Sequence, residues 1–265
     1  FIGYLFKPTV LIIFIAAVIL GIINLLSGHK AEYKKVAAML CCVAIAAASA
    51  FSVKHILVTR KKLPAEKSMT ITHYLMMGLN SETEGVYSSD DVKYSRNIGD
   101  KKARQEANIK IIRERLEKMG FNGFAKLVIK KNLSNYNDGT FTWAREGGFY
   151  KTVYPSDSRV KTALRNFYFN KPETFRLLAQ TIWFFILLCI CFSAFRKASA
   201  YSGIISLVAL SLFGESIFLL LFECRARYLF LYLPLFLILA AVGLAASTDI
   251  CKKIIFERKI ENGRN

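Results

Sequence analysis

Gly214-Glu215-Ser216-Ile217-Phe218-Leu219-Leu220-Leu221-Phe222-Glu223-Cys224-Arg225-Ala226-Arg227-Tyr228 decides the fold, because it is a charged break between two apolar stretches, Gly203–Phe222 and Tyr228–Ala246. Each stretch is long enough to cross a hydrocarbon core of about 30 Å, which takes about 20 residues. Charged side chains near membrane depth cost about 2.5–3.5 kcal/mol each even on the lenient insertion scale, so they mark a site. Two arginines there point to an anionic ligand at the membrane surface.

Working outward, three further stretches have the same character: Pro8–Ser27, Val36–Val53, which is Ala-rich and the weakest, and Leu177–Phe195. The apolar residues, 54% of the chain, collect in these blocks instead of spreading along amphipathic elements. The fold class is therefore mainly α, a polytopic α-helical membrane protein of five spans with a small, mostly α external domain between spans two and three. The segments are 1–57 (two spans), 58–173 (external domain), 174–247 (three spans) and 248–265 (basic tail). The first stretch is not a signal peptide, since it lacks a basic leading region and a small-residue cleavage site. The chain begins at Phe1 without a methionine, and further spans upstream are expected.

Orientation follows from the basic residues of the short loops. Lys30, Lys34 and Lys35, then Arg196 and Lys197, then Lys252, Lys253, Arg258, Lys259 and Arg264 share one side, which is assigned to the cytoplasm. In a multi-pass cell-membrane protein this puts 58–173 and the Glu223–Arg227 loop outside and the C-terminus inside. Arg225 and Arg227 then run against the rule, which argues that function keeps them. About half of the net charge of +18 belongs to the external domain. Such a charge is the usual mark of a nucleic-acid binder, but an external domain seldom meets nucleic acid. Anionic lipid headgroups, teichoic-type polymers and phosphorylated sugars are better partners.

All six cysteines lie in or beside the spans, so no disulfide framework holds the external domain. Cys189 and Cys191 fall about 200° apart on a helix, which suits packing, and no metal site is expected.

In the external domain Leu63-Pro64-Ala65 stops the second span. The pattern predicts a helix from Asp100, its N-cap, to Met119, with Ala103, Ala107, Ile111, Ile112, Leu116 and Met119 on one face and Gly120 as stop. A second helix is predicted over Gly123–Leu133. Asn137-Asp138-Gly139 is a turn signal, and the aromatic run Phe141–Tyr154 reads as a hairpin or an interfacial segment. Ser158–Phe169, basic and aromatic, reads as a helix lying on headgroups. Asn132-Leu133-Ser134 fits a glycosylation sequon but is set aside because the resemblance below is bacterial.

His73-Tyr74-Leu75-Met76-Met77-Gly78-Leu79-Asn80, Gly85-Val86-Tyr87-Ser88-Ser89-Asp90-Asp91-Val92, Asn108 with Arg113-Glu114-Arg115-Leu116, and Asp138-Gly139-Thr140-Phe141-Thr142-Trp143 resemble the external domain of Gram-positive multispan proteins. Those proteins are similar to the C-type membrane glycosyltransferases, the superfamily of the protein mannosyltransferases and the lipid A aminoarabinose transferase. Glu223-x-Arg225-x-Arg227-Tyr228, ahead of a Pro-containing span, resembles their late aromatic-basic segment. The resemblance runs from about His73 to Pro234. It implies transfer of a sugar from a polyprenyl-phosphate carrier, the donor substrate, to a cell-envelope polymer or protein on the outer face, with no other cofactor. It also implies a catalytic carboxylate in an early external loop, which is expected upstream of this chain; the catalytic residues are left unassigned.

A polyprenyl phosphate puts its anion at the membrane rim, where guanidinium groups bind phosphate well. Arg225 and Arg227 are assigned to it, with Glu223, Glu215 and Tyr228 in support; pairing with Glu223 or headgroups is the bland alternative for the arginines. For Glu215 a structural ion pair is favoured. Pro234 is expected to kink the last span and free a carbonyl near Phe230. His73, Asn80, Asp90 and Asp91 are candidates for acceptor binding or domain docking, although a lone histidine is more often structural and a helix N-cap or turn explains the aspartates equally well. Two other function classes remain: a transporter or flippase of envelope intermediates, which predicts broken helices in several spans, and a non-catalytic scaffold whose external domain binds a polymer.

Overall fold

The computed structural model describes residues 7–28, 33–61, 68–143, 158–170, 172–196 and 202–262. The described residues are helical with no strand. Among the described residues four helical segments are long and apolar enough to cross a membrane: Pro8–Leu26, Pro172–Phe195, Ser202–Leu221 and Ala226–Ile255. The protein is thus a polytopic α-helical membrane protein, with four such segments where the sequence suggested five. The second stretch lies in a 29-residue helix, Tyr33–Lys61, but only Leu40–Val53 of it is a continuous apolar run. Alanines and flanking lysines dilute the rest. The Leu63-Pro64-Ala65 break and most of the aromatic run to Tyr154 lie outside the described residues.

The chain divides into two compact units. The first holds residues up to Lys131 together with Gly203–Cys224. Its helices are α1 (Leu11–Leu26), α2 (Tyr33–Lys61), α3 (Ile71–Gly78), α4 (Ser89–Asn97), most of α5 (Lys101–Tyr136) and, later in the chain, the Ser202–Leu221 helix. Asp100 caps α5 as the sequence predicts, its Oδ2 accepting the Ala103 N–H at 2.6 Å. The predicted stop at Gly120 is a kink: this residue alone takes φ 56°, ψ −171°, and the helix resumes to Tyr136, past the expected end at Leu133.

The buried face of α5 keeps part of the predicted apolar stripe, with Ile112 buried and Ala107, Ile111 and Met119 half-buried, and corrects the rest. Ala103 and Leu116 are exposed, whereas Arg104, Asn108 and Ile112 are buried at a spacing of four, with Arg115 half-buried one turn on. Polar groups point inward because α3, α4 and the backbone before and after them offer partners. The apolar core beside them is small: Met76, Leu79 and Ile112, flanked by Leu75, Ile111 and Phe124.

The second unit holds Asn132–Ser202 and Arg225 onward. It contains α6 (Arg159–Asn170), α7 (Pro172–Phe192), and, after α8 (the Ser202–Leu221 helix of the first unit), a 3₁₀ segment Ala226–Tyr232 that leads into α9 (Leu233–Asn262). Helices α7 and α9 pack along each other. Trp183 of α7 is buried among Phe141, at 5.1 Å and 70°, and Phe236 of α9, at 5.1 Å and 65°, both edge-to-face. Its indole N–H donates to the Tyr136 carbonyl at 2.8 Å. Cys189 is buried on the α9 side and Cys191 is exposed, in keeping with their spacing. Pro234 does not free the Phe230 carbonyl. It stands in the first turn of α9, and the Leu233 N–H donates to Phe230 at the end of the 3₁₀ segment, so the proline falls where a helix tolerates it.

Candidate functional site

In the first unit the motifs between the second and third apolar stretches build a buried polar cluster. Asp91 sits in the first turn of α4, whose N-cap Ser88 accepts the Asp91 N–H at 3.2 Å. Its carboxylate takes a two-armed guanidinium contact from Arg115, 2.6 Å to Oδ1 and 3.1 Å to Oδ2, and a 3.1 Å bond from Asn80 Nδ2. Arg115 also donates to the Met76 carbonyl. Asp90, its neighbour in sequence, is exposed; its carboxylate accepts from the Ser89 hydroxyl at 3.4 Å and lies 3.7 Å from the Lys93 ammonium.

His73 is buried in α3. The Ser95 hydroxyl donates to Asn108 Oδ1 at 3.0 Å, so the 2.8 Å contact between Ser95 and His73 Nδ1 has the imidazole N–H donating. Asn108 in turn donates to Thr72, which bonds Thr70 at 2.8 Å. Burial pushes the His73 pKa below its ordinary value, with the charges of Asp91 and Glu223 pulling partly back. The ring is neutral at pH 7.

A clasp missed by sequence reading centres on Lys131, which is 0% exposed. Its ammonium donates at 2.7 Å to the Gly78 carbonyl, at the end of α3, and at 2.7 Å to the Phe222 carbonyl, just past the end of α8. A cation on two helix C-termini is favoured by both dipoles. Burial nonetheless lowers its pKa from 10.5 to about 8. Gly85, at φ +74°, covers the lysine stem, where a Cβ would stand 2.9 Å from Cε, and its carbonyl accepts the Cys224 N–H at 2.8 Å. Glu223 is buried here, while Glu215 is buried midway along α8 with Ser211 and Leu219.

The break that dominated the sequence divides between the units after Cys224. Arg225 is half-buried and precedes the 3₁₀ segment; Arg227 is exposed, its guanidinium 5.5 Å from the Tyr228 ring.

In the second unit, Asp138-Gly139-Thr140-Phe141-Thr142-Trp143 forms a self-clasped loop. Asp138 Oδ1 accepts from the Thr140 N–H at 2.9 Å and hydroxyl at 2.6 Å, and Oδ2 from the Thr142 N–H at 2.8 Å. These bonds hold Phe141 and Thr142 at φ 51° and 67°, a left-handed pair that side chains rarely adopt. The loop lies directly on α7: Gly139 donates to Gln180 Oε1 at 2.8 Å, and a Cβ there would strike the Ala179 carbonyl. Phe141 meets Phe230 edge-to-face at 5.8 Å. With α6 the loop walls an open groove of about 560 Å³, into which Trp143, Leu164, Arg165, Tyr168, Phe175 and Phe230 project.

Of the residues singled out in the sequence, His73, Asn80 and Asp91 therefore come together in one cluster with Ser95, Asn108 and Arg115, and Arg227 joins Tyr228. Asp90 stands apart. Lys131 had no legible signal: it shares a buried line at four-residue spacing with Leu127 and Asn135, but its two acceptors are backbone carbonyls.

The cluster makes a direct prediction. Asp91→Asn leaves Arg115 facing a neutral amide in a largely buried site, and a thermal melt should report a loss of about 2 kcal/mol, below the full cost of breaking a buried pair because Arg115 is part-exposed. Asp90→Asn should melt with the parent; if the two substitutions behave alike, Asp91 does not hold α4 to α5.

Comparison with curated proteins and with solved structures finds no match to either. A family model described as "conserved hypothetical integral membrane protein" matches residues 1–248. Together with the apolar helices this establishes an integral membrane protein, and the chain belongs to that family.

Proposed function

We propose that this chain holds the donor lipid of a membrane glycosyltransferase that moves a sugar from a polyprenyl-phosphate carrier to a cell-envelope acceptor on the outer face. One observation supports this above the rest. Arg225 and Arg227 flank the start of the 3₁₀ segment that opens the last apolar helix, one half-buried and one exposed over Tyr228. A lipid phosphate stands at that depth, and a ring-braced guanidinium loses less freedom on binding it. No residue of this chain is assigned as the general base.

The test is consumption of a radiolabelled polyprenyl-phosphate sugar by reconstituted protein. Arg225→Ala and Arg227→Ala should each slow it at least about tenfold, the worth of one charge-assisted contact of about 1.4 kcal/mol. Variants that bind and consume donor like the parent would remove the arginines from the site. A second reading, a non-catalytic scaffold, draws on the fact that His73, Asn80 and Asp91 are spent on internal bonds. Under it the parent consumes no donor at all.

A further inference from the structure

The groove of the second unit is distinct from the arginine pair, and none of its lining residues carries a negative charge. Its walls are the clasped loop, α6, and the first turns of α7 through Phe175 and Ala179, with Phe230 of the 3₁₀ segment closing one side. Volumes of about 300–1,000 Å³ with mainly apolar walls and one or two polar groups characterise small-molecule sites. The single charged group is Arg165.

Helix α6 shows what surrounds the groove. Val160, Ala163, Leu164 and Phe167 share one face, and Val160 and Leu164 remain 68% and 64% exposed. Arg159 borders that face on one side, Lys161 and Arg165 on the other, and the helix contains no acidic residue. An exposed apolar stripe between cationic flanks is the pattern of a helix lying in a headgroup layer. One residue, Lys171, separates α6 from α7, an apolar helix long enough to span, which fixes α6 at a membrane rim. The backbone arrangement agrees. Irregular chain beside a span persists only where its polar groups are satisfied, and here Asp138 and Gln180 satisfy the loop so that it can present Phe141 and Trp143 to the groove. Two successive left-handed residues at that wall are the kind of strain that collects at ligand sites.

We infer that the groove holds one anionic phospholipid of the surrounding bilayer, an acyl chain between Leu164, Phe175 and Phe230 and the phosphate on Arg165. Charge selects the class: a zwitterionic headgroup gains less from Arg165, Arg159 and Lys161 than an anionic one. Supply selects the source, because the bilayer's own lipid is present at a far higher local concentration than any carrier intermediate, and occupancy follows concentration over affinity.

The experiment is native mass spectrometry of the full chain released from nanodiscs of phosphatidylglycerol, of phosphatidylcholine, or of phosphatidylcholine doped with a polyprenyl phosphate. The parent should keep one phosphatidylglycerol and little phosphatidylcholine. Arg165→Gln should cut retention about tenfold, and Leu164→Trp, which fills the groove from an exposed position, should do the same with circular dichroism unchanged. Arg225→Ala and Arg227→Ala should retain lipid like the parent, which separates this inference from the proposed donor site. Equal retention of the two phospholipids, retention of the polyprenyl phosphate that Arg165→Gln removes and Arg225→Ala does not, unaltered phosphatidylglycerol retention in Arg165→Gln, or loss of phosphatidylglycerol in Arg225→Ala would each overturn it.

Discussion

Lys131→Met is expected to cost about 1 kcal/mol of stability at pH 7 and about 4 kcal/mol above pH 10.5, a pH dependence that decides what the buried lysine does. Removing the ammonium leaves the Gly78 and Phe222 carbonyls buried without their donor, at roughly 1–3 kcal/mol each. Against this, at neutral pH, stands the relief of a buried charge. A pKa of about 8 in the fold against 10.5 in the free side chain corresponds to about 3 kcal/mol of unfavourable burial of the protonated form. Between those two values the unfolded chain binds more protons than the folded one, so the parent gains stability as pH rises from about 8 to 10.5 and is lower again below that window. The neutral amine keeps two N–H groups for the two carbonyls, so the clasp survives deprotonation. The methionine variant lacks this gain, and the gap should widen by about 3 kcal/mol across the window. Lys130→Met, which removes only an exposed pair with Glu84, is the control and should show little change at either pH. Thermal melts in detergent at pH 7, 9 and 10.5 read the difference. A gap that does not vary with pH would mean that Lys131 is not buried as a cation, and no gap at all would remove the clasp.

Much of this architecture is legible in the sequence, for a physical reason. The apolar stretches declare themselves because a bilayer demands a long continuous run, and Pro8–Ser27, Leu177–Phe195, Gly203–Phe222 and Tyr228–Ala246 each coincide with a long apolar helical segment. Asp100 as a cap is legible because capping is local. The inward face of α5 is legible only in part, through Ala107, Ile111, Ile112 and Met119. Reading its apolar residues assumes an apolar partner, whereas α3 and α4 present Thr72, Ser95 and Asp91, and the chain flanking them presents the Ser68, Ile98 and Gly99 carbonyls, so Arg104, Asn108 and Arg115 turn inward. The information that Arg104 faces the Ile98 carbonyl or Arg115 the Asp91 carboxylate lies in other segments. The site divides in the same way. His73, Asn80, Asp90 and Asp91 were singled out as candidates for acceptor binding or domain docking, and three of the four are engaged in bonds inside the unit; Lys131 looked like any solvated lysine because its two acceptors are backbone groups, which leave no mark in a sequence.

The motifs between the second and third apolar stretches hence serve two jobs that their resemblance does not separate. Small apolar clusters such as Met76, Leu79 and Ile112 cannot by themselves fix the geometry of α3, α4 and α5, since so few buried side chains leave little margin over the entropy of ordering them. The hydrogen-bonded cluster supplies direction, because each of its bonds is satisfied in only one arrangement and each broken one is costly in a buried setting. Asp138-Gly139-Thr140-Phe141-Thr142-Trp143 differs: its carboxylate stiffens a loop whose aromatic residues face an open groove. Of the quoted motifs it is therefore the one that serves a surface rather than a core.

Gly243→Ala is expected to lower stability by about 3 kcal/mol, the upper end of overpacking costs, and Gly243→Val by more, because the colliding group is backbone and cannot rotate away. A Cβ at Gly243 would overlap the Cys189 carbonyl oxygen outright and stand 2.7 Å from its carbon and 2.9 Å from Ser193 N. Helix α9 approaches α7 this closely because Ala240, Gly243 and Ala246 recur at three-residue spacing and are all buried, the small-residue arrangement by which membrane helices bring their backbones together. Water gives no drive for the pairing inside a bilayer, so van der Waals contact must supply it, and a gap as wide as a methyl group forfeits much of that contact. The expected results are a lower midpoint in a thermal melt and a smaller monodisperse fraction on size exclusion after detergent extraction. Ala245→Val, on the exposed side of the same turn, should match the parent in both. The chain has two tryptophans, so a Trp143→Phe background leaves Trp183 as the reporter, and its emission should shift to the red in Gly243→Val as α9 moves away from it. Parent-like melting of Gly243→Ala would show that the two backbones do not meet at Cys189.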